Sequence, residues 1–142
     1  MSLKELLYDE ATIGMKFTTS VPLTADFVRA YAEVVDDLNP VYWDDEAARR
    51  LGFEKAVAPY NAATFYTHIG RSEEWKQPSG TIHLKQELRF HRPAYVGDTI
   101  TTTSAISEKY ERRGRRHVVM QLVATNQKGE VVVEGKRTTI WP

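Results

Sequence analysis

From residue 81 onward the chain reads as strand after strand. Four segments, roughly 81–92, 99–110, 115–125 and 131–141, are rich in Thr, Val and Ile, whose branched side chains favour extended backbone. Short turns separate the last three. Arg112-Arg113-Gly114 is one, and Asn126-Gln127-Lys128-Gly129 is the other, with Asn and Gly at positions that turns favour. Val118, Met120, Leu122 and Ala124 share one face of their strand, set off from the more polar Gln121 and Thr125. This pattern predicts a long antiparallel meander with one apolar side.

The first half is different. Gly14-Met15-Lys16-Phe17-Thr18 reads as a short strand. Thr24 is a good N-cap, and Asp26 suits the first turn of the helix that follows. Phe27, Tyr31, Val34 and Val35 recur at helical spacing. Pro40 holds Asn39 out of the helical region, which predicts an end near Leu38. Asp44 or Asp45 caps a second short helix through Ala47, Ala48 and Leu51, closed by Gly52. Ala58 to Ile69 has no charge and is apolar nearly all round, the signature of a buried helix. Gly70 suits its end. The order fits one architecture, an α+β domain over residues 1–142 in which a curved antiparallel sheet wraps a single central apolar helix. Such a sheet leaves an edge open, so a dimer through the sheet edges and helix ends is expected.

Composition removes several function classes. The 19 Lys+Arg balance 19 Asp+Glu, and there is no Cys. A zero net charge disfavours a nucleic-acid groove. Without Cys there is no disulfide, thiolate catalyst or Cys-held metal. No apolar run reaches the ~18 residues of a membrane span. Acids interrupt the apolar stretch at the N-terminus, so no secretion signal is read there and a cytoplasmic location is expected.

Two motifs carry a resemblance. Asp37-Leu38-Asn39-Pro40-Val41-Tyr42 is followed by Asp44 or Asp45, Ala48, Gly52-Phe53 and Val57-Ala58-Pro59. About fifty residues later comes Leu88-Arg89-Phe90-His91-Arg92-Pro93-Ala94-Tyr95-Val96-Gly97-Asp98-Thr99. Together these resemble the MaoC-like, or (R)-specific enoyl-CoA hydratase, branch of the hot-dog fold. That family runs Asp-x-Asn-Pro-x-His, then an acid, Ala, Gly-Phe and Ile-Ala-His-Gly-Met, and later Leu-x-Phe-x-x-Pro-x-x-x-Gly-Asp-Thr. Its catalytic His falls on Tyr42. Its Gly, whose backbone N–H helps form the oxyanion hole, falls on Tyr60. Both departures resemble a subgroup of half-domains that lack the His and pair with a second hot-dog that has it.

The resemblance implies hydration of a trans-2-enoyl thioester or its reverse. That chemistry needs a carboxylate to take a proton from water, a second group to hold the water and move a proton to the α-carbon, and donors for the thioester oxygen. Asp37 fits the first role and Tyr42 the second. Tyr is a poor base near neutral pH, because its phenol ionises near pH ~10. Asn39 completes the catalytic set by tying the bend and orienting Asp37. Backbone N–H groups at Tyr60 and Asn61, at the start of the apolar helix, suit the oxygen.

His68, His83, His91 and His117 show no metal-ligand spacing on a shared helix, so no metal is expected. His83 and His91 are placed on one strand face, and His68 late on the apolar helix. Lys109, Arg112, Arg113, Arg115 and Arg116 form the basic cluster. Such a run is ordinarily a solvated turn. Its sharper reading makes Arg112, Arg113 and Arg115 a patch for the phosphates of coenzyme A. Three functions stay open. One is an acyl-thioester hydratase/dehydratase acting on enoyl-CoA or a carrier-bound thioester, with CoA as part of the substrate and no other cofactor. Another is the non-catalytic half of a heterodimer. The third is a hot-dog thioesterase. A homodimer or a heterodimer with a second hot-dog chain accompanies the first two, with no nucleic acid or membrane as partner.

Overall fold

Five antiparallel strands form the main sheet of the computed structural model, which describes residues 3–69 and 72–142. They are β2 (Lys16–Pro22), β4 (Ile82–Phe90), β5 (Thr99–Arg112), β6 (Arg115–Thr125) and β7 (Val131–Trp141). Their spatial order is β2-β5-β6-β7-β4, so β2 and β4 are the edges. The four long strands lie where Thr, Val and Ile cluster, to within two residues. A separate parallel pair joins β1 (Lys4–Glu5) to β3 (Trp75–Lys76). Strands of two residues carry too little periodicity to be read from sequence.

The β5–β6 hairpin closes through Arg113 (φ 52°) and Gly114 (φ 68°). Two central residues with positive φ make a type I′ turn, whose twist matches the flanking strands. Val118, Met120, Leu122 and Ala124 are all buried, together with Ile100 and Ile106 of β5. A bulge between His83 and Lys85 shifts the alternation of β4. It separates the two histidines expected on one face. His83 lies by Arg137, while His91 Nε2 pairs with Glu134, and those two partners, three apart on β7, point to opposite faces.

Helix α1 (Ala25–Val34) starts as expected, with Thr24 Oγ1 accepting the Phe27 N–H. It ends earlier than Leu38. Asp36 adopts a left-handed conformation (φ 55°), the Asp36 N–H donates to Glu33 O and the Asp37 N–H to Ala32 O. This is a Schellman stop, with Asp in the place usually taken by Gly. Its core face also differs. Val28 and Ala32 are buried beside Phe27 and Tyr31, whereas Val34 is 85% exposed. Helix α2 (Asp45–Arg50) is capped by Asp44 and closed by Gly52 (φ 90°).

The central helix is the main correction. A 3-10 turn (Tyr60–Ala62) runs into α3 (Ala63–Tyr66), so the helical segment covers 60–66 rather than 58–69. Thr67 is its C-cap and His68 turns left-handed (φ 43°). The expected stop at Gly70 lies outside the described residues. Asn, Tyr and Thr are weak helix formers, so a lack of charge overstated the length. Nor is the helix buried all round. Ala62, Ala63 and Tyr66 face the sheet, while Tyr60 and Phe65 are about half exposed. Fully burying a side chain such as Tyr66 is worth ~1.5–3 kcal/mol, and burial also pushes its phenol pKa up. No helix is long and apolar enough to cross a membrane among the described residues.

Gly135 lets β7 sit between its neighbours. A Cβ there would stand 2.5 Å from Glu87 O and 2.7 Å from Leu88 Cδ2. Gly135→Ala is therefore expected to lower stability by ~1–3 kcal/mol, the usual cost of overpacking, as measured by thermal or urea unfolding. An unchanged midpoint would mean that the β4–β7 spacing is adjustable.

Candidate active site

The Schellman stop at Asp36 reverses the chain, so Asp37 leaves α1 turned back toward it. Asn39 then takes an extended conformation and its Oδ1 accepts the Val41 N–H at 3.1 Å, capping a 3-10 turn over Pro40–Tyr42. Pro40 at the start of that turn pre-sets its backbone. The result places Tyr42 over Asp37, and Tyr42 Oη donates to Asp37 Oδ2 at 2.7 Å. Both are half-buried. Asn39 thus orients Asp37 through the backbone, since its amide is engaged with Val41.

The environment holds Tyr42 protonated. Burial, then the hydrogen bond to Asp37 and the charge of that carboxylate, push the Tyr42 phenol up to about 12. Tyr31 is raised as well, by burial and then by Asp37. Tyr31 also packs on Phe65 of α3, with ring centroids 5.6 Å apart. The acidic bend therefore faces the exposed side of the central helix.

The opposite wall is the start of that helix. The Ala58 N–H donates to Ala94 O, and Val57 bridges Tyr95, which ties this segment to the Gly97-Asp98 loop. No side chain caps the Tyr60–Ala62 turn, which leaves its first N–H groups, those of Tyr60 and Asn61, pointing out of the turn. The Tyr60 ring leans on Phe90 at 4.8 Å. Between bend and helix lies a largely apolar cavity of about 200 Å3, whose walls include Asn39, Tyr42, Phe53, Pro59, Tyr60 and Pro93. The cavity adjoins both the bend and the start of the helix, and Tyr60 lines its wall.

Asn39, Tyr42 and Tyr60 line one cavity, Asp37 is joined to it through its bond to Tyr42, and Asn61 follows Tyr60 in the helical turn. Arg112, Arg113 and Arg115 are not part of it. Phe90, Val133, Ala124 and Thr102 form one row across the sheet at the site end. Arg112 lies ten residues further along β5, roughly 30 Å away at ~3.3 Å per residue. The hairpin stands at the opposite end of the same sheet. Tyr31 and Phe65 are the site residues the sequence reading missed. Both look like ordinary core positions in a helical pattern, and only the early stop of α1 turns Tyr31 toward Asp37.

Solved structures place this arrangement in a class. The (R)-hydratase PhaJ1 of Pseudomonas aeruginosa superposes with a TM-score of 0.85 at 27% identity, over 99% of this chain and 88% of that one. A chain of the HadBC complex of Mycobacterium tuberculosis, a (3R)-hydroxyacyl-ACP dehydratase, gives 0.72 at 27% identity, over 90% and 96%. The fold is that of the MaoC-like hot-dog class. Among curated relatives, a UPF0336 protein of Mycobacterium tuberculosis is 30% identical over 119 residues, 78% of this chain and 70% of its own. The family described as FAS1-like, dehydratase domain region, matches residues 11–135, and the chain belongs to it.

The Tyr42–Asp37 bond has a pH signature. Folding favours the neutral phenol, so its stabilisation is complete below the unfolded value near pH ~10. It is lost as pH rises through the folded value of about 12. Unfolding midpoints are expected to fall more steeply between those values in the wild type than in Tyr42→Phe. The same slope in both proteins would show that neither burial nor the bond to Asp37 raises the Tyr42 phenol in solution.

Proposed function

We propose that this protein is a cytoplasmic acyl-thioester hydratase/dehydratase interconverting a trans-2-enoyl thioester and a 3-hydroxyacyl thioester. The observation that carries the reading is the hydrogen bond from Tyr42 to Asp37, with Tyr42 also lining a slot that meets the first turn of the central helix. In hydration, water gives a proton to the free oxygen of Asp37 while its own oxygen bonds to C3. The C2–C3 electron pair moves to form an enolate on the thioester oxygen, which the N–H groups of Tyr60 and Asn61 would hold. C2 then takes the Tyr42 Oη proton. The Asp37 carboxyl then rotates to bring its new proton to the Tyr42 phenolate, which restores the carboxylate and the Tyr42–Asp37 hydrogen bond. Dehydration runs the same steps backward. Proton transfer and addition suffice, so CoA enters only as part of the substrate, with no metal or redox cofactor proposed. The working unit is a dimer.

A second reading has its own support. With Tyr42 in place of an imidazole, one oxygen of Asp37 is already occupied by a hydroxyl that stays protonated to about pH 12. A chain so built could shape the acyl slot while a second hot-dog chain supplies the acid–base pair.

Purified protein assayed with crotonyl-CoA separates these. Turnover by the chain alone, reduced by ~10²–10⁴ in Asp37→Asn, supports the first reading. Turnover only after adding a MaoC-like chain with an intact His supports the second. Release of free CoA without hydration would instead make it a thioesterase.

A further inference from the structure

Arg137 is a half-buried cation without an anion. It lies on the inner face of β7, directly opposite Gln86 of β4 and Met120 of β6, in a row that no bulge interrupts. Met120 belongs to the core, so this row is on the covered side of the sheet. Arg137 Nη2 donates to Ile69 O at 2.6 Å, just past the end of α3. Its Nε–H is buried and meets no acceptor among the described residues. No Asp or Glu among those residues lies within ion-pair distance of it. Gly70 and Arg71, which follow Ile69 in the chain, are not acids. Burial alone draws the guanidinium down to about 10, so it stays charged near neutral pH.

A lone charge out of water is costly, and buried charges are ordinarily paired. One carbonyl engages one of the five guanidinium donors. The end of α3 adds some negative potential, but a helix of four residues carries little of it. A neutral donor would hold the Ile69 carbonyl at lower cost. The unmatched charge therefore points to an anion that a ligand brings.

The groups around Arg137 can also donate. Gln86 Nε2 and Thr64 Oγ1 stand 3.2 Å apart, and Gln86 Oε1 is buried without a partner. A hydroxyl both donates and accepts, so half a turn of the amide keeps the bond to Thr64 and turns the NH2 group to the buried side. His83 lies on the same inner face, opposite Thr139. Burial, then the charge of Arg137, lower its pKa, and a neutral imidazole still carries one N–H.

A seam leads there from the slot. The helical segment over 60–66 lies along β4, joined to it by the Tyr60–Phe90 ring contact at the slot end and by the Thr64–Gln86 bond at the other. Phe90, Leu88 and Gln86 share the inner face of β4. Tyr60 and Thr64 are exposed and Leu88 is partly so, so the seam is open to the outside. Phe90 to Gln86 is four residues, ~13 Å at ~3.3 Å each. The walls at Tyr60, Leu88 and Phe90 are apolar, and the end at Thr64, Gln86 and Arg137 is polar and positive. An alkyl chain with an anion at its tip fits such a seam. The Nε–H and a neighbouring Nη–H of a guanidinium lie side by side, the fork that matches a planar carboxylate.

We propose that Arg137, with Gln86 and Thr64, binds the terminal carboxylate of an acyl chain that runs along this seam from a thioester in the slot. The substrate class is then an acyl thioester with a carboxylate at its far end. The path of the chain rests on the acyl-thioester reading of the slot; the carboxylate site at Arg137 does not.

Saturated ligands test this without turnover. Decanedioyl-CoA, a monothioester with a free carboxylate at its tip, should bind the wild type roughly ten- to a hundredfold more tightly than decanoyl-CoA, the gain expected of a charge-assisted bond. The preference should vanish in Arg137→Met and survive in part in Arg137→Lys, which keeps the charge without the fork. Replacing an unpaired buried charge by an apolar side chain of similar length removes a desolvation cost, so Arg137→Met should unfold at or above the wild-type temperature. Equal affinity of the wild type for the two thioesters overturns the proposal, as does a preference that Arg137→Met retains. Unfolding of Arg137→Met well below the wild type makes Arg137 a structural tie for the loop and overturns it too. Octanoate, compared with neutral octanamide, tests the carboxylate site by itself. If octanoate binds through Arg137 while neither thioester binds, the acyl-slot reading fails, the carboxylate site stands and its ligand is a free fatty acid.

Discussion

The inner face of the main sheet presents Ile100, Ile106, Val118, Met120, Leu122 and Ala124, all but buried, and its helical cover is the segment over 60–66. Everything else follows from that short cover. Small residues at Ala62 and Ala63 let the helix approach the sheet closely, and Tyr66 fills the space between. Gly135 plays the matching part in β7, where any side chain would strike the Glu87 carbonyl. The tight seat holds the first turn of the helix in a fixed place relative to the Gly97-Asp98 loop through the Ala58–Ala94 bond.

That fixed turn is what makes the bend at 37–42 chemically meaningful. An aspartate at a loop is ordinary; this one is held by a Schellman stop and accepts the Tyr42 hydroxyl at 2.7 Å, and Tyr42 lines a cavity that reaches an uncapped helical turn. Replacing an imidazole by a phenol changes the division of labour. The phenol can hold and pass a proton but is a poor base near neutral pH, so in the proposed reaction the base is the carboxylate alone. A helix about half exposed at Tyr60 and Phe65 also lies against the open β4 edge, where the Tyr60 ring meets Phe90.

Much of this was legible in the residues. The long strands, the Thr24 cap and the Gly52 stop were read in place, and the second helix's cap was narrowed to Asp44 or Asp45, of which the structure uses Asp44, because each rests on a local rule: side-chain alternation, a hydroxyl or carboxylate at an N-cap, a residue free to take positive φ. The failures share a cause as well. Asp36 stopped α1 before Pro40 could, and His68 ended the central helix before Gly70, since non-glycine residues in left-handed positions leave little trace in sequence. The bulge at His83 and Lys85 moved a histidine across the sheet, and period-two counting does not see an extra residue.

By itself, the order of residues determined the strand content, the meander, the motif at 37–42 and the identity of the chemically able side chains. These depend on neighbours within a few positions, where propensity and spacing act. The tertiary structure alone decided that Tyr31 lies by Asp37 and packs on Phe65, that Tyr42 bonds to Asp37, and that the arginine hairpin stands at the far end of the sheet. Those outcomes depend on where a helix stops and which end of a long strand lies over it. Closing such distances is a property of the packed core, and the same local sequence can serve either arrangement.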